Sequence, residues 1–409
     1  MSTPIERMFR RGLPPPASPW AGFPRYNFTG GHNDRDAIPV ESLATEMANI
    51  LREKARDLAT YFMDSGPQGV RELREFVAER MARDRGMQCN PDQVLITSGS
   101  MQGLDLVNNL LLEPGDTIVA EEFTFGVLLN KVRAKGVEVV PAPLDEFGIR
   151  IDALEQVLDK LENRGVTPKY IYTIPTIQNP TGSVMPLERR RALVALAEAR
   201  GIPILEDECY SNLIWEGDWP PSLRALSKDN HVIHLGSFSK SLAPALRLGY
   251  LIADWPVMSQ ILSLKIDGGT GAVEQMLVAE YFGRQFDTHI EALRARLKGK
   301  LESLVVAVDR EFGSTAELIA PRGGIFLWLR LPEQVDTSAL ATAALAEGVA
   351  IDAGADWAVE PELARHHLRL CFALSTEEEI REGVAKLAEI CRRETGIPLR
   401  SGNIDHTQI

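Results

Sequence analysis

From Val94 onward, short apolar runs rich in β-branched residues recur at helix-length intervals: Val94 to Thr97, Thr117 to Ala120, Val137 to Val140, Tyr170 to Ile174, Ile202 to Leu205, Val232 to Leu235 and Leu248 to Ile252. Several are apolar at nearly every position, the mark of strands covered on both faces. Seven such runs with helical spacing between them predict an α/β fold: a mainly parallel seven-stranded sheet sandwiched by helices. Upstream, Leu43, Met47, Ile50, Leu51 and Leu58 give Glu41 to Thr60 a helical period, with Ser42 as its cap. Tyr61 to Gly69 reads as a loop and Val70 to Arg85 as a second amphipathic helix.

The sheet pattern stops after Tyr250. Leu293, Leu297, Leu301, Leu304, Val305 and Val308 form one stripe of a long helix over Phe286 to Phe312. Beyond it, runs at Glu317 to Ile319, Ile325 to Leu329, Val349 to Asp352 and His367 to Phe372, with helices around Ser338 to Ala346 and Thr376 to Arg393, predict a smaller α+β C-terminal domain. Three regions follow: 1–60 as an N-terminal arm and helix, 61–290 as a large ligand-binding domain, and 291–409 as the small domain. The first twenty residues, with the run Pro14-Pro15-Pro16, read as an extended arm.

Composition narrows the partners. The 409 residues are 44% hydrophobic and 25% charged, as in an ordinary globular protein. A net charge of −13 without a long basic run argues against nucleic acid or an anionic membrane, and toward small-molecule chemistry. Cys89, Cys209, Cys371 and Cys391 lack the paired spacing of metal sites or disulfide scaffolds. With no stretch resembling a signal peptide or a membrane span, a cytoplasmic protein is expected.

In such sheets ligands gather at the carboxyl ends of strands, so the residues after each run carry the candidate chemistry. The first run is followed by Ser98-Gly99-Ser100-Met101-Gln102-Gly103, a glycine turn opening a helix and able to offer backbone N–H groups to an anion. Later runs lead into Phe123-Thr124-Phe125, Gln178-Asn179-Pro180-Thr181-Gly182 and Asp207-Glu208-Cys209-Tyr210. The run Val232 to Leu235 leads into Ser237-Phe238-Ser239-Lys240, with Arg247 seven residues further on. A lysine there is either a solvated residue in a turn or a nucleophile able to condense with an aldehyde, beside two serines and an arginine suited to a phosphate. An aldehyde bearing a phosphate is pyridoxal 5'-phosphate. Singly, each turn has a plainer reading as a cap, a turn or a packed side chain; together they fall in one layer after successive strands. The paired Gly30 and Gly31 permit close backbone approach, and Arg369, set among alternating apolar residues, calls for either a salt bridge or an anionic ligand.

Taken jointly, Asn179-Pro180-Thr181-Gly182, Asp207 with Tyr210, Ser237-x-Ser239-Lys240 with Arg247, and Arg369 resemble the class I/II aminotransferases of the fold type I pyridoxal-phosphate enzymes, in particular the 2-aminoadipate and kynurenine group. The resemblance runs from about Tyr26 to the last helix. It implies that Lys240 is the Schiff-base lysine and moves the proton between substrate Cα and the cofactor. It implies that Asp207 bonds the pyridine nitrogen and that Tyr210 and Asn179 bond the phenolic oxygen. Phe125 would stack on the ring. Ser100, Met101 and the Gln102 region would join Ser237, Ser239 and Arg247 around the phosphate. Arg369 would grip the substrate carboxylate, with Asn179 and Gly31 also lining the substrate. Arg25 and His32 lie where such enzymes cover their substrate.

Three departures stand out. The tyrosine that reaches a partner's phosphate in such enzymes is here Asp64, the nearest alternative being Tyr61; Ala243-Pro244-Ala245 replaces an Ala-Pro-Gly; and Asp267-Gly268-Gly269-Thr270-Gly271 is unusually glycine-rich, with Thr270 a further candidate for that contact. The resemblance implies a homodimer that moves an amino group between an L-amino acid and a 2-oxo acid. A lyase, decarboxylase, replacement enzyme or oxygen-using oxidase on the same scaffold is the alternative.

Overall fold

The computed structural model describes residues 5–9, 13, 16–228 and 231–398. Of the expected arm, residues 1–4, 10–12 and 14–15, including two of the three prolines, lie outside the described residues, as does the end of the chain beyond 398.

Seven strands form the main sheet: β1 (Val94–Thr97), β2 (Thr117–Glu121), β3 (Glu138–Ala142), β4 (Ile171–Thr173), β5 (Ile204–Asp207), β6 (Val232–Ser237) and β7 (Gly249–Ile252). Their order is β1-β7-β6-β5-β4-β2-β3; only β7 runs antiparallel to its neighbours, so the sheet is mainly parallel as predicted. Alternation sends Leu95, Ile118, Tyr172, Leu205 and Leu235 into one apolar layer and Val119, Ile171, Ile204 and Val232 into another, so helices cover both faces. β5 ends two residues later than the apolar run because it carries Glu206 and Asp207 into the interior. Glu206 is held there by His234 at 2.9 Å and the Leu223 amide at 2.5 Å.

The long helix begins at Ala272, not Phe286, and spans 41 residues. Its first turns bury Met276, Leu277, Val278, Ala279, Tyr281 and Phe282 on several faces, which erases the one-sided period by which a helix is read from sequence. The helix Val40–Lys54 starts before the expected cap: Pro39 precedes it, Ser42 lies inside, and no side chain caps it. Of its apolar stripe only Ile50 is buried. The helix opened by the glycine turn begins within it, at Ser100, and runs to Leu111.

A second sheet of four antiparallel strands orders Glu317–Leu318, Phe326–Arg330, His367–Cys371 and Asp352–Ala353. Its register sets Arg369 opposite Trp328 on one side and Asp352 on the other. The chain before Val40 is anchored beside this sheet: Tyr26 and Asn27 form a separate two-stranded parallel sheet with Val349 and Ala350, and the Cys371 amide of the four-stranded sheet donates to the Phe28 carbonyl at 2.8 Å. That anchoring carries the Gly30-Gly31 strap across to the carboxyl ends of the main sheet.

Candidate active site

Lys240 follows β6, whose six residues are all buried. The turn that presents it is fixed by the Ser239 amide donating to Ser237 Oγ at 3.1 Å. Asn33 on the strap donates to the carbonyls of Lys240 (3.2 Å) and Leu242 (2.9 Å). Lys240 Nζ donates to the Gly31 carbonyl at 2.6 Å, and a side chain at Gly31 would occupy the place of that amine. The strap's glycines therefore serve a close approach to this lysine. Burial lowers the lysine's proton affinity, and the charges of Arg369 and Arg247 act in the same direction.

Asp207 stands at the end of β5. Tyr172, one strand over on β4, donates to its Oδ2 at 2.7 Å, and the Cys209 amide faces Oδ1 at 3.2 Å. Burial, and then the charge of Asp207, push the Tyr172 phenol well above its ordinary range, so it stays a donor. Tyr210 is buried, its ring edge-on to Phe326 at 5.2 Å and 5.8 Å from Lys240 Nζ. Asn179 Oδ1 accepts from Arg369 Nη1 at 2.8 Å. The loop carrying Asn179 is pinned by Gln178, which donates to Glu121 Oε2 (2.9 Å) and to the Phe123 carbonyl (2.7 Å) and accepts from the Thr181 amide (2.9 Å).

The two turns flanking β7 meet at its first residue, since Gly249 is in register with both Thr97 and Ser237. Gly99 has φ +83°, a conformation open to glycine, and a Cβ there would run into the Arg247 guanidinium. Arg247 itself adopts φ +53° and directs Nη2 toward the Ser98 carbonyl at 3.5 Å. The Gln102 side chain braces the turn instead of pointing into it: its Oε1 takes the Ser98 amide at 2.8 Å and its Nε2 donates to Asp267 at 2.5 Å. Asp267 is itself held by Lys265 at 2.6 Å. Thr270 lies 3.4 Å from Ser98 Oγ, bringing the glycine-rich loop beside the same turn. Met101 packs into the layer beneath, and Phe125, ahead of the helix Gly126–Ala134, faces Trp357 with ring centres 6.1 Å apart.

Arg369 makes the salt bridge that the sequence had left open against a ligand role. Its Nη2 and Nε meet Asp352 Oδ2 at 2.6 and 3.1 Å, and Nη2 also faces the Gly30 carbonyl at 3.3 Å. The guanidinium lies 3.5 Å above the centre of the Trp357 ring. Tyr172, Asp352 and Trp357 were not singled out from sequence. Tyr172 could have been found from the alternation of its strand; Asp352 needed the register of the second sheet.

The donor set fits pyridoxal 5'-phosphate. A helix start, two hydroxyls and an arginine suit a phosphate, a buried carboxylate with its own donor suits a protonated ring nitrogen, and a desolvated amine suits an aldehyde. Fold and site together define a pyridoxal-phosphate enzyme of fold type I. Residues 26–387 match the family model described as aminotransferase class I and II. The chain is 32% identical over 371 residues to aromatic-amino-acid aminotransferase 1 of Thermococcus litoralis, covering 90% of this chain and 88% of that protein. The structure of LysN, the α-aminoadipate aminotransferase of Thermus thermophilus complexed with N-(5'-phosphopyridoxyl)-L-leucine, is 33% identical, superposes with a TM-score of 0.82 and covers 90% of this chain and 92% of that one. The Pyrococcus horikoshii kynurenine aminotransferase gives 28% identity and a TM-score of 0.88 over 96% and 98%. The chain belongs to the class I and II aminotransferases: it is an enzyme of amino-group transfer with pyridoxal phosphate as its cofactor. No helix among the described residues is long and apolar enough to cross a membrane.

Proposed function

We propose that the enzyme takes an amino group from an L-amino acid and passes it to a 2-oxo acid, with Lys240, Asp207 and Arg369 as its working groups. One observation carries this. The consecutive carbonyls of Gly30 and Gly31 reach Arg369 Nη2 and Lys240 Nζ, at 3.3 and 2.6 Å. A carboxylate-gripping guanidinium and a proton-moving amine thus border the same two-residue stretch of the strap, where one amino acid can meet both. The bound cofactor supplies an electron sink that stabilises negative charge at substrate Cα.

The chain's own groups do the rest. Arg369 holds the α-carboxylate in a planar two-pronged contact, and Asn179 steadies that guanidinium. Lys240 Nζ, less basic for being buried, takes the proton from substrate Cα and would pass it to the cofactor. Asp207, bonded by Tyr172, keeps a proton on the ring nitrogen. Ser100, Ser237, Ser239 and Arg247 hold the phosphate, and Phe125 covers the ring. On the strap side, Trp20, Phe23 and His32 meet edge to face in sequence, with ring centres 5.1 Å apart in each pair.

We further propose a homodimer. Tyr61 and Ile266 are 82% and 89% exposed, and Tyr61 lies against Gly268 on the glycine-rich loop that borders the phosphate turn. A donor and acceptor screen tests the reading: donors should change the cofactor's absorbance and a 2-oxo acid should restore it. Loss of carbon dioxide or uptake of oxygen without an acceptor would contradict it.

A further inference from the structure

The pairing of Arg369 with Asp352 has a consequence for what the site accepts, and the inference rests on Arg369 gripping the substrate carboxylate. A guanidinium has five N–H groups. Nε and one Nη2 proton go to Asp352 Oδ2, the second Nη2 proton faces the Gly30 carbonyl, and one Nη1 proton goes to Asn179. A substrate carboxylate needs two parallel donors, so it takes the Nη1–Nη2 edge and displaces the Gly30 carbonyl. Asp352 keeps the Nε–Nη2 edge, where the strand register holds it opposite Arg369. The guanidinium, itself 3% exposed, then lies between two carboxylates, and that corner carries one uncompensated negative charge.

The cations nearby do not relieve this. The Lys240 amine would be taken up by the cofactor's aldehyde and Arg247 braces the phosphate turn, where the phosphate would meet its charge. Arg25 is turned to solvent and paired with Glu382 at 3.2 Å, and Arg35 is exposed, where solvent screens it. The Asp356 carboxylate adds its field to that of Asp352. A second carboxylate on the substrate would therefore enter a site already short of positive charge, whereas a cationic side chain would complete it.

We propose that Asp352 is a specificity-determining residue, which sets the site for amino donors with a positively charged side chain and against donors with a second carboxylate. This is the reverse of the acidic donor in the name of the Thermus thermophilus relative. The test titrates the holoenzyme with L-arginine, L-leucine and L-2-aminoadipate, reading dissociation constants from the cofactor's absorbance, in wild type and in Asp352→Asn. Wild type should bind arginine about 10- to 100-fold more tightly than aminoadipate, the scale of one charge pair at an effective dielectric of about 20. Asp352→Asn should shrink that ratio about ten-fold or more, with leucine shifting about three-fold at most.

Equal or reversed preference in wild type overturns the proposal. So does an unchanged ratio in the variant, or a uniform weakening of all three donors, which would mark Asp352 as merely structural. Failure of the aminotransferase reading shows elsewhere: donors would bind with this preference, yet no 2-oxo acid would recover the amine.

Discussion

The Tyr172 hydroxyl donates to Asp207 Oδ2 at 2.7 Å, both groups buried, so the carboxylate that faces the cofactor's ring is held by a neighbouring strand. Tyr172→Phe keeps the packing and deletes the donor. A buried acceptor left without its partner costs about 1–3 kcal/mol, and the carboxylate loses the contact that orients it. The expected outcome is a turnover about ten-fold lower or more, with a shifted cofactor absorbance and little change in KM for the donor. An unaltered spectrum and rate would remove Tyr172 from the machinery.

Arg369 meets Asp352, Asn179 and the Gly30 carbonyl at once. Arg369→Lys keeps a charge but loses the planar fork. KM for amino donors should rise about 100-fold, and the fold should lose about 3 kcal/mol, because the variant leaves part of a buried ion pair unmatched. Steady-state kinetics and thermal melts read the two effects separately.

Gly99→Ala places a methyl group against Arg247 at φ +83°, where a side chain is strained as well as crowded. The variant should fold and should release pyridoxal phosphate about ten-fold more readily, as measured by dialysis of the holoenzyme. Unchanged retention would show that this turn does not hold the phosphate.

Glu121 is wholly buried beneath the Asn179 loop, and burial pushes its carboxyl up to about 7 from 4.5, with donors from Gln178 and Thr173 opposing the shift. The folded protein then holds this proton more tightly than the unfolded chain. The group's contribution is present below pH 4.5 and is lost as pH rises to about 7, a decline of about 3 kcal/mol. Glu121→Gln should flatten that part of the stability profile between pH 4.5 and about 7. A profile that keeps its slope would place the titration elsewhere.

Much of this was legible because it is local. Strands covered on both faces announce themselves as apolar runs, and in this topology the polar residues just past them gather at one sheet edge, which is how Lys240, Asp207, Asn179 and Arg247 come together. What stayed hidden depends on pairing across the chain. Asp352 reads as a charge ending a short strand until the register sets it against Arg369. Tyr172 reads as core, which it also is. The first third of the long helix was missed because it is buried on several faces, and Ser42 misled as a cap because Pro39 precedes the helix and starts it earlier. Gly30 and Gly31 signalled a close approach without saying to what; the structure supplies the Lys240 amine and the Arg369 guanidinium.

Every role proposed for these groups presupposes that the Lys240 amine bonds the cofactor. Reduction of the holoenzyme with borohydride, followed by digestion and mass mapping, reads this directly. The pyridoxyl group should be found on the peptide containing Lys240 and be lost in Lys240→Ala; a label on another lysine, or none on the wild-type protein, would contradict it.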